Sequence, residues 1–152
     1  MLFATHILLG ILVFLLFANF FSGNEILFLF FILLGSVLPD IDEKHSKAAQ
    51  WTGLLGSILS FFSKHRGFFH SLFFVVLATM LVKYLFSNYY AWALFLGLIS
   101  HLLGDSLTKR GVPAAYPFSF RIKGFLKTNG LGEKMIQAGI LVFLIITIIK
   151  VI

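Results

Sequence analysis

His101 and Asp105 stand four residues apart in an apolar stretch. On a helix both side chains leave one face, about one turn from each other, which is a geometry for two ligands on one metal ion. Gly97 and Thr108 share roughly the same stripe. An ionisable group inside a membrane segment is costly and usually faces the interior with a partner, so Asp105 needs a cation or a proton. Further groups of this kind occur elsewhere. His65-Arg66-Gly67-Phe68-Phe69-His70-Ser71 sets two imidazoles and a guanidinium against the start of an apolar helix. Leu38-Pro39-Asp40-Ile41-Asp42 closes another apolar run, and Pro39 is expected to turn Leu38 away from helical geometry, so that two acids can point into a site from irregular backbone. Asp42 alone also reads as a cap for the polar stretch that follows. His6, with Gly10 one turn later to admit a neighbouring helix, is either a ligand or a packing histidine bonded to a carbonyl. His45 lies in a Lys-flanked loop and reads as solvated, while Glu25 and Glu133 read as helix-start acids favoured by the macrodipole.

The chain has no cysteine, so thiolate nucleophiles, disulfides and Cys-based zinc sites are absent and any metal must use imidazole and carboxylate. Of its 152 residues, 59% are hydrophobic and 12% charged, and the mean hydropathy is +0.99. A soluble domain carries about a quarter charged residues, and a chain with 20 Phe has too much apolar surface for disorder. The elements that must position the polar residues are therefore membrane helices. Apolar runs at 2–21, 25–38, 68–86, 90–108 and 134–152 predict an all-α polytopic bundle of about five spanning helices in a single domain over 1–152. A shorter run at 51–62 is expected to be interfacial or re-entrant, with Trp51 at its water-facing end. No Lys or Arg precedes Lys44, so the first run is expected to be retained and not a cleaved signal. Gly23-Asn24 and Ser87-Asn88 suit tight helical hairpins.

Five crossings send 39–67 and 109–133 to the side where the chain starts. That side collects ten of the 12 Lys and Arg, leaving Lys83 and Lys150 toward the other, and the positive-inside rule makes it cytoplasmic. The net charge of +6 then reports topology and gives no reason to expect nucleic acid. The same parity gathers His6, Asp40, Asp42, His65, Arg66, His70, His101 and Asp105 at one membrane face. A relay or transport site would spread its ionisable groups through the bilayer depth. A metal or proton transporter, or a non-catalytic metal-binding membrane protein, is the alternative to an enzyme.

These segments, together with Gly97-Leu98-Ile99-Ser100-His101-Leu102-Leu103-Gly104-Asp105-Ser106-Leu107-Thr108, Gly111-Val112-Pro113 and Tyr116-Pro117-Phe118, resemble the YdjM-like family. Its members are inner-membrane proteins described as metal-dependent hydrolases, in some bacteria under LexA control. The resemblance runs from about residue 5 to 120 in the same order, and His6 with Gly10 is similar to the family's N-terminal histidine. Phe69 departs from the Thr often found there, and Lys44-His45-Ser46 departs from a stretch that commonly contains Pro. What the resemblance implies is a small helical membrane protein with a metal-dependent hydrolase site, its matching polar residues being the eight gathered above.

Imidazole and carboxylate without thiolate suit Zn²⁺ first, with Mn²⁺ or Fe²⁺ as other fits. The supply exceeds one tetrahedral ion, and two ions roughly 3.5–4 Å apart would clamp a phosphoester for attack by water. On this reading His6, His65, His70, His101 and Asp105 are metal ligands, Asp40 or Asp42 bridges or acts as general base, and Arg66 binds the substrate anion. The basic loop of Lys109, Arg110, Arg121, Lys123 and Lys127 would attract anionic headgroups, which favours a lipid-like or membrane-proximal phosphodiester. Topology alone explains that loop equally well. Its Pro113, Pro117 and Gly130-Leu131-Gly132 predict an ordered, turn-rich segment, with a lid as one use for it.

Overall fold

A computed structural model describes residues 1–42, 67–116, 118 and 120–151. Among these residues five α-helices follow in order, α1 Phe3–Phe17, α2 Glu25–Val37, α3 Leu72–Leu85, α4 Asn88–Ser106 and α5 Leu131–Val151. Two 3₁₀ turns, Ala18–Phe20 and Leu38–Asp42, extend α1 and α2. The all-helical reading holds among the described residues, and each expected apolar run corresponds to one helix, α4 beginning two residues and α5 three residues earlier than expected. The short helix expected at 51–62 lies outside the described residues, as do His45, Trp51, His65 and Arg66.

The helix ends follow local chemistry. Asn24 caps α2 by accepting from the Leu27 amide at 3.1 Å, and Ser71 caps α3 by accepting from the Phe74 amide at 3.2 Å. The Ser71 cap delays α3 to residue 72, four residues later than the apolar run suggests. Leu38 departs from expectation more clearly. It keeps helical dihedrals (φ −53°, ψ −42°), with its N–H still bonded to the Leu34 carbonyl, and Pro39 is absorbed into the 3₁₀ turn. The residue before a proline is disfavoured in the α region but not forbidden it, and the α2 hydrogen-bond ladder decides.

α2 and α4 form the most extensive helix pair, and α1 and α3 pack beside them, while α5 leans on α1. The central pair is close because glycines face backbone. A Cβ on Gly97 would lie 2.1 Å from the Ile32 carbonyl oxygen, and one on Gly35 would lie 2.5 Å from that of Leu94. Gly10 meets Ser36 in the same manner, with a Cβ falling 3.0 Å from Oγ, as expected of a residue that admits a neighbouring helix. Phe28, Ile32, Val75, Leu94 and Leu98 fill the space between the helices.

Outside, the bundle is apolar. α3 buries only Phe74 and Val75 and exposes Leu72, Phe73, Val76, Leu77, Met80 and Leu81. By length and composition one described helix, Phe3–Phe20, can cross a membrane, whereas Leu72–Leu85 is apolar but shorter. Between α4 and α5 the described residues make no strand but two isolated bridges, Val112 with Ile122 and Thr108 with Leu126. Turns at 114–116 and 128–129 agree with the turn-rich reading of that segment, whereas Leu131 and Gly132 begin α5 and Pro117 lies outside the described residues.

Candidate metal centre

Three changes of backbone direction bring the polar residues to one end of the bundle. The 3₁₀ turn after α2 carries Asp40, the turn preceding α3 carries His70, and the last two turns of α4 carry His101 and Asp105. One ligand atom from each of these four residues lies within 4.8 Å of all the others. His70 Nε2 and His101 Nε2 are 3.3 Å apart. Asp40 Oδ1 is 3.7 Å from His70 Nε2 and 3.8 Å from His101 Nε2. Asp105 Oδ2 is 3.7 Å from each of the same two nitrogens. Metal bonds of about 2.0–2.2 Å in a tetrahedron put neighbouring ligand atoms about 3.3–3.6 Å apart. The five separations already approach that spacing.

The orientation of His101 is fixed from behind. Its Nδ1 donates to the Ser36 carbonyl at 2.7 Å, so in the neutral ring the lone pair sits on Nε2, which faces the cluster. Ser36 is in the last turn of α2, where carbonyls lack α-helical partners, and its own hydroxyl is occupied by Leu33 O at 2.8 Å. A helix end thus supplies the second support that a metal-binding imidazole ordinarily has. The Asp105 backbone is held too, its carbonyl accepting from Thr108 N at 3.0 Å and Thr108 Oγ1 at 2.8 Å.

His6 stands beside this group. It is fully buried, its ring stacks on His101 with centroids 3.8 Å apart and planes 15° from parallel, and its Nε2 lies 3.3 Å from Asp105 Oδ1. That contact lacks hydrogen-bond alignment, so both ring nitrogens are buried without a hydrogen bond. An imidazole left this way costs free energy unless something else coordinates it. The Met1 ammonium also contacts Asp105 Oδ1. Burial would raise the Asp40 carboxyl, but the hydrogen bond from His70 and the nearby His101, His6 and His70 rings hold it below the usual carboxylate range. Asp40 and Asp105 bring two buried carboxylates to the cluster against the single ammonium of Met1, and a divalent cation suits that excess of negative charge. The donor set and its spacing fit such an ion.

Of the expected ligands, Asp40, His70, His101 and Asp105 therefore converge, with His6 as neighbour. Asp42 ends the 3₁₀ turn, and its side chain, like His65 and Arg66, lies outside the described residues. Among the described residues the cluster supplies ligands for one ion.

Glu133 lies in the first turn of α5, as expected of a helix-start acid, and has a further role that its sequence position does not show: it is buried, 1% exposed. Its Oε1 accepts from Leu2 N and Thr5 Oγ1, both at 2.6 Å, and Oε2 accepts from Asn129 N at 2.6 Å. Gln137 Nε2 donates to Thr5 Oγ1 at 2.7 Å. This network pins the start of α1 to the start of α5, one residue from His6. Thr5 preceding His6 was its only trace in the sequence, since a lone Thr near an apolar terminus does not announce a partner over a hundred residues away.

The family model described as YdjM inner membrane protein matches residues 1–152, and the chain belongs to that family. It is 27% identical over 139 residues to the uncharacterized protein YvsG of Bacillus subtilis (strain 168), covering 90% of this chain and 87% of that one. It is 34% identical over 97 residues to the inner membrane protein YdjM of Escherichia coli (strain K12), covering 60% of this chain and 50% of that one. The YdjM protein of Shigella flexneri matches to the same extent. No solved structure matches.

Proposed function

We propose that this member of the YdjM inner membrane protein family is a polytopic, metal-dependent hydrolase. Its site would open at the cytoplasmic face, and its substrate would be a lipid-like or membrane-proximal phosphoester, a phosphodiester in the first instance. The observation that carries this reading is the convergence of Asp40, His70, His101 and Asp105 from three separate segments onto one point. Two stacked imidazoles, one of them without a hydrogen bond, are a poor way to stabilise a helix bundle and a good way to hold a cation. The exposed apolar faces of α3 and α5 support several crossings, and the cations of the loop after α4 support a cytoplasmic site.

Zn²⁺ suits the donors best, with Mn²⁺ or Fe²⁺ next. Bound there, such an ion would supply Lewis acidity and an activated water. The chain's own residues would do the rest. His70 and His101 present lone pairs, Asp105 closes the set from α4, and His6 backs it from α1. Asp40, carried by the 3₁₀ turn after α2, is held ionised by its imidazole neighbours and can accept a proton from water. Arg66, one residue before the described turn at Gly67, would bind the phosphoryl oxygens. The gathering of these groups at one end, and not through the bundle depth, favours hydrolysis over a proton or metal pathway.

The test begins with metal content. The purified chain in detergent is expected to hold about one divalent ion per molecule, and His101→Ala and Asp105→Ala are expected to lose it. The loaded form is then assayed on phosphodiesters, phosphomonoesters, carboxylic esters and amides. Unchanged metal in both variants removes the site. Metal without turnover on any class removes the hydrolase and leaves a binding or transport protein.

A further inference from the structure

The segment between α4 and α5 exposes aromatic side chains that no helix covers among the described residues. Phe118, Phe120 and Phe125 are 74%, 64% and 77% exposed, with Ile122 and Leu131 exposed beside them. Lone exposed apolar residues are ordinary, but three Phe within eight residues on a loop, interleaved with cations, form a patch that calls for a partner. Lys109, Arg110, Arg121, Lys123 and Lys127 all lie on this segment and are exposed. No acid occurs between Asp105 and Glu133, and Glu133 is buried in the network described above. The run Phe118 to Lys123 alternates, with Phe118, Phe120 and Ile122 at even positions and Arg121 and Lys123 at odd ones.

The segment is also fixed to the metal centre. Val112 and Ile122 exchange both backbone hydrogen bonds, at 2.9 and 3.0 Å. Leu126 N bonds Leu107 O and Gly124 N bonds Thr108 O, each at 2.9 Å, at the exit of α4 directly after Asp105. Leu72 N donates to Ala114 O at 3.0 Å, which ties the start of α3 to the same ribbon. Glycine is required at two of these joints. Gly111 has φ +66°, and a Cβ on Gly124 would lie 2.2 Å from the Leu107 carbonyl oxygen. The ribbon is therefore held by main chain at the end of the bundle where Asp105 lies; Thr108, Val112 and Ala114 are buried, whereas Phe118, Phe120, Ile122 and Phe125 are left outside.

We propose that this ribbon docks on the surface of an anionic phospholipid leaflet, with Phe118, Phe120 and Phe125 inserted at the headgroup and acyl boundary and Arg121, Lys123 and Lys127 on the lipid phosphates. Aromatic insertion alone would accept any bilayer, whereas a single-sign array of cations selects a negative one, each cation near the surface contributing on the order of 1 kcal/mol. Docking of this kind sets the depth of the metal centre relative to the headgroups. The inference rests on the family's membrane location and not on hydrolysis.

The absence of cysteine allows single reporters without other changes. Phe118→Cys, Phe120→Cys, Phe125→Cys and Thr128→Cys are each labelled with a nitroxide in the full chain, in nanodiscs of phosphatidylcholine with or without phosphatidylglycerol. With phosphatidylglycerol, labels at 118, 120 and 125 are expected to relax with oxygen several-fold more than with a water-soluble nickel chelate, and the label at 128 the reverse. Adding Arg121→Glu and Lys123→Glu is expected to return the three to water. In the unlabelled wild-type chain, amine-reactive modification of Lys123 and Lys127 is expected to slow when phosphatidylglycerol is present, which reads the same contact without any substitution. Three results overturn the proposal: labels at all three Phe positions facing water in both lipids, insertion and lysine protection indifferent to lipid charge, or spin–spin broadening that shows a second copy on the patch.

Discussion

At the start of α2 and α4 the helices are separated by rings. Phe28 meets Tyr89 at 4.8 Å between centroids and Phe21 at 5.2 Å, and Phe31 stacks on Tyr90 at 5.1 Å. At the other end of the same two helices the separation is filled by imidazoles and carboxylates, with His6 stacked on His101 at 3.8 Å and Asp40 and Asp105 beside them. Aromatic packing is satisfied by its own contacts. The polar end is not, because it concentrates buried negative charge and an imidazole with no hydrogen bond. The comparison teaches that one end can supply rigidity while the other stores a need for a cation, with Gly35 and Gly97 at the join.

Substituting the join should therefore damage both ends. In Gly97→Leu the new Cβ would lie 2.1 Å from a backbone oxygen, which no rotamer relieves. The expected cost is at or above the upper end of the about 1–3 kcal/mol typical of overpacking. Metal content should fall with stability, since α2 carries the carbonyl that orients His101. Denaturant unfolding in detergent and metal analysis on the same sample check it. A folded Gly97→Leu chain with full metal would mean that the ends are independent of this crossing.

The aromatic end offers the separation in one direction. Phe28→Ala should cost about 3 kcal/mol or somewhat more, yet leave the metal stoichiometry of the folded fraction unchanged. Loss of metal in parallel with stability would show that the rings hold the site geometry as well as the bundle.

The two ends were not equally legible from residues. Periodicity and length gave the helices to within a few residues, and parity gave the polar convergence, because burying ionisable groups in an apolar chain leaves few arrangements. His101 and Asp105 follow from four-residue spacing on a helix. His70 and Asp40 depended on a turn and a 3₁₀ segment whose direction pattern alone does not specify, and Pro39 pointed to the wrong backbone at Leu38. Glu133 was missed for another reason. A helix-start acid and a buried acceptor of three hydrogen bonds look identical until the packing of α1 on α5 is known.

Within the polar end, Asp40→Asn tests a ligand at nearly constant shape. An amide keeps one acceptor oxygen but removes the charge that opposes a cation, so divalent-ion affinity should fall by more than the about 10–100-fold seen when supporting residues are changed. Stability of the metal-free chain should fall modestly at neutral pH, because the hydrogen bond from His70 and the nearby imidazoles favour the ionised carboxylate that the amide replaces. Equilibrium dialysis against Zn²⁺ and apo unfolding separate the two readouts. Unchanged affinity would place the ion elsewhere in the cluster.

Glu133→Gln asks how far support for the site extends, and its effect should be the smallest. The carboxylate accepts three hydrogen bonds and touches no proposed ligand. A carboxamide retains one acceptor oxygen, so if that oxygen stays with Leu2 N and Thr5 Oγ1, the amide nitrogen is turned on the Asn129 N–H and a donor meets a donor. One unsatisfied buried group costs about 1–3 kcal/mol, and the cost falls on the entry to α5 at Asn129, loosening the residue that anchors the start of α1 where His6 is placed. Metal affinity should therefore weaken by less than the about tenfold lower bound for direct support of a ligand, with stoichiometry intact. Thr5→Val removes two other bonds of the same network, to Glu133 and from Gln137, and should weaken affinity in the same direction. If both variants lose stability and neither changes affinity, His6 is held by its stacking on His101 alone, and α1 contributes packing without placing a group at the metal centre.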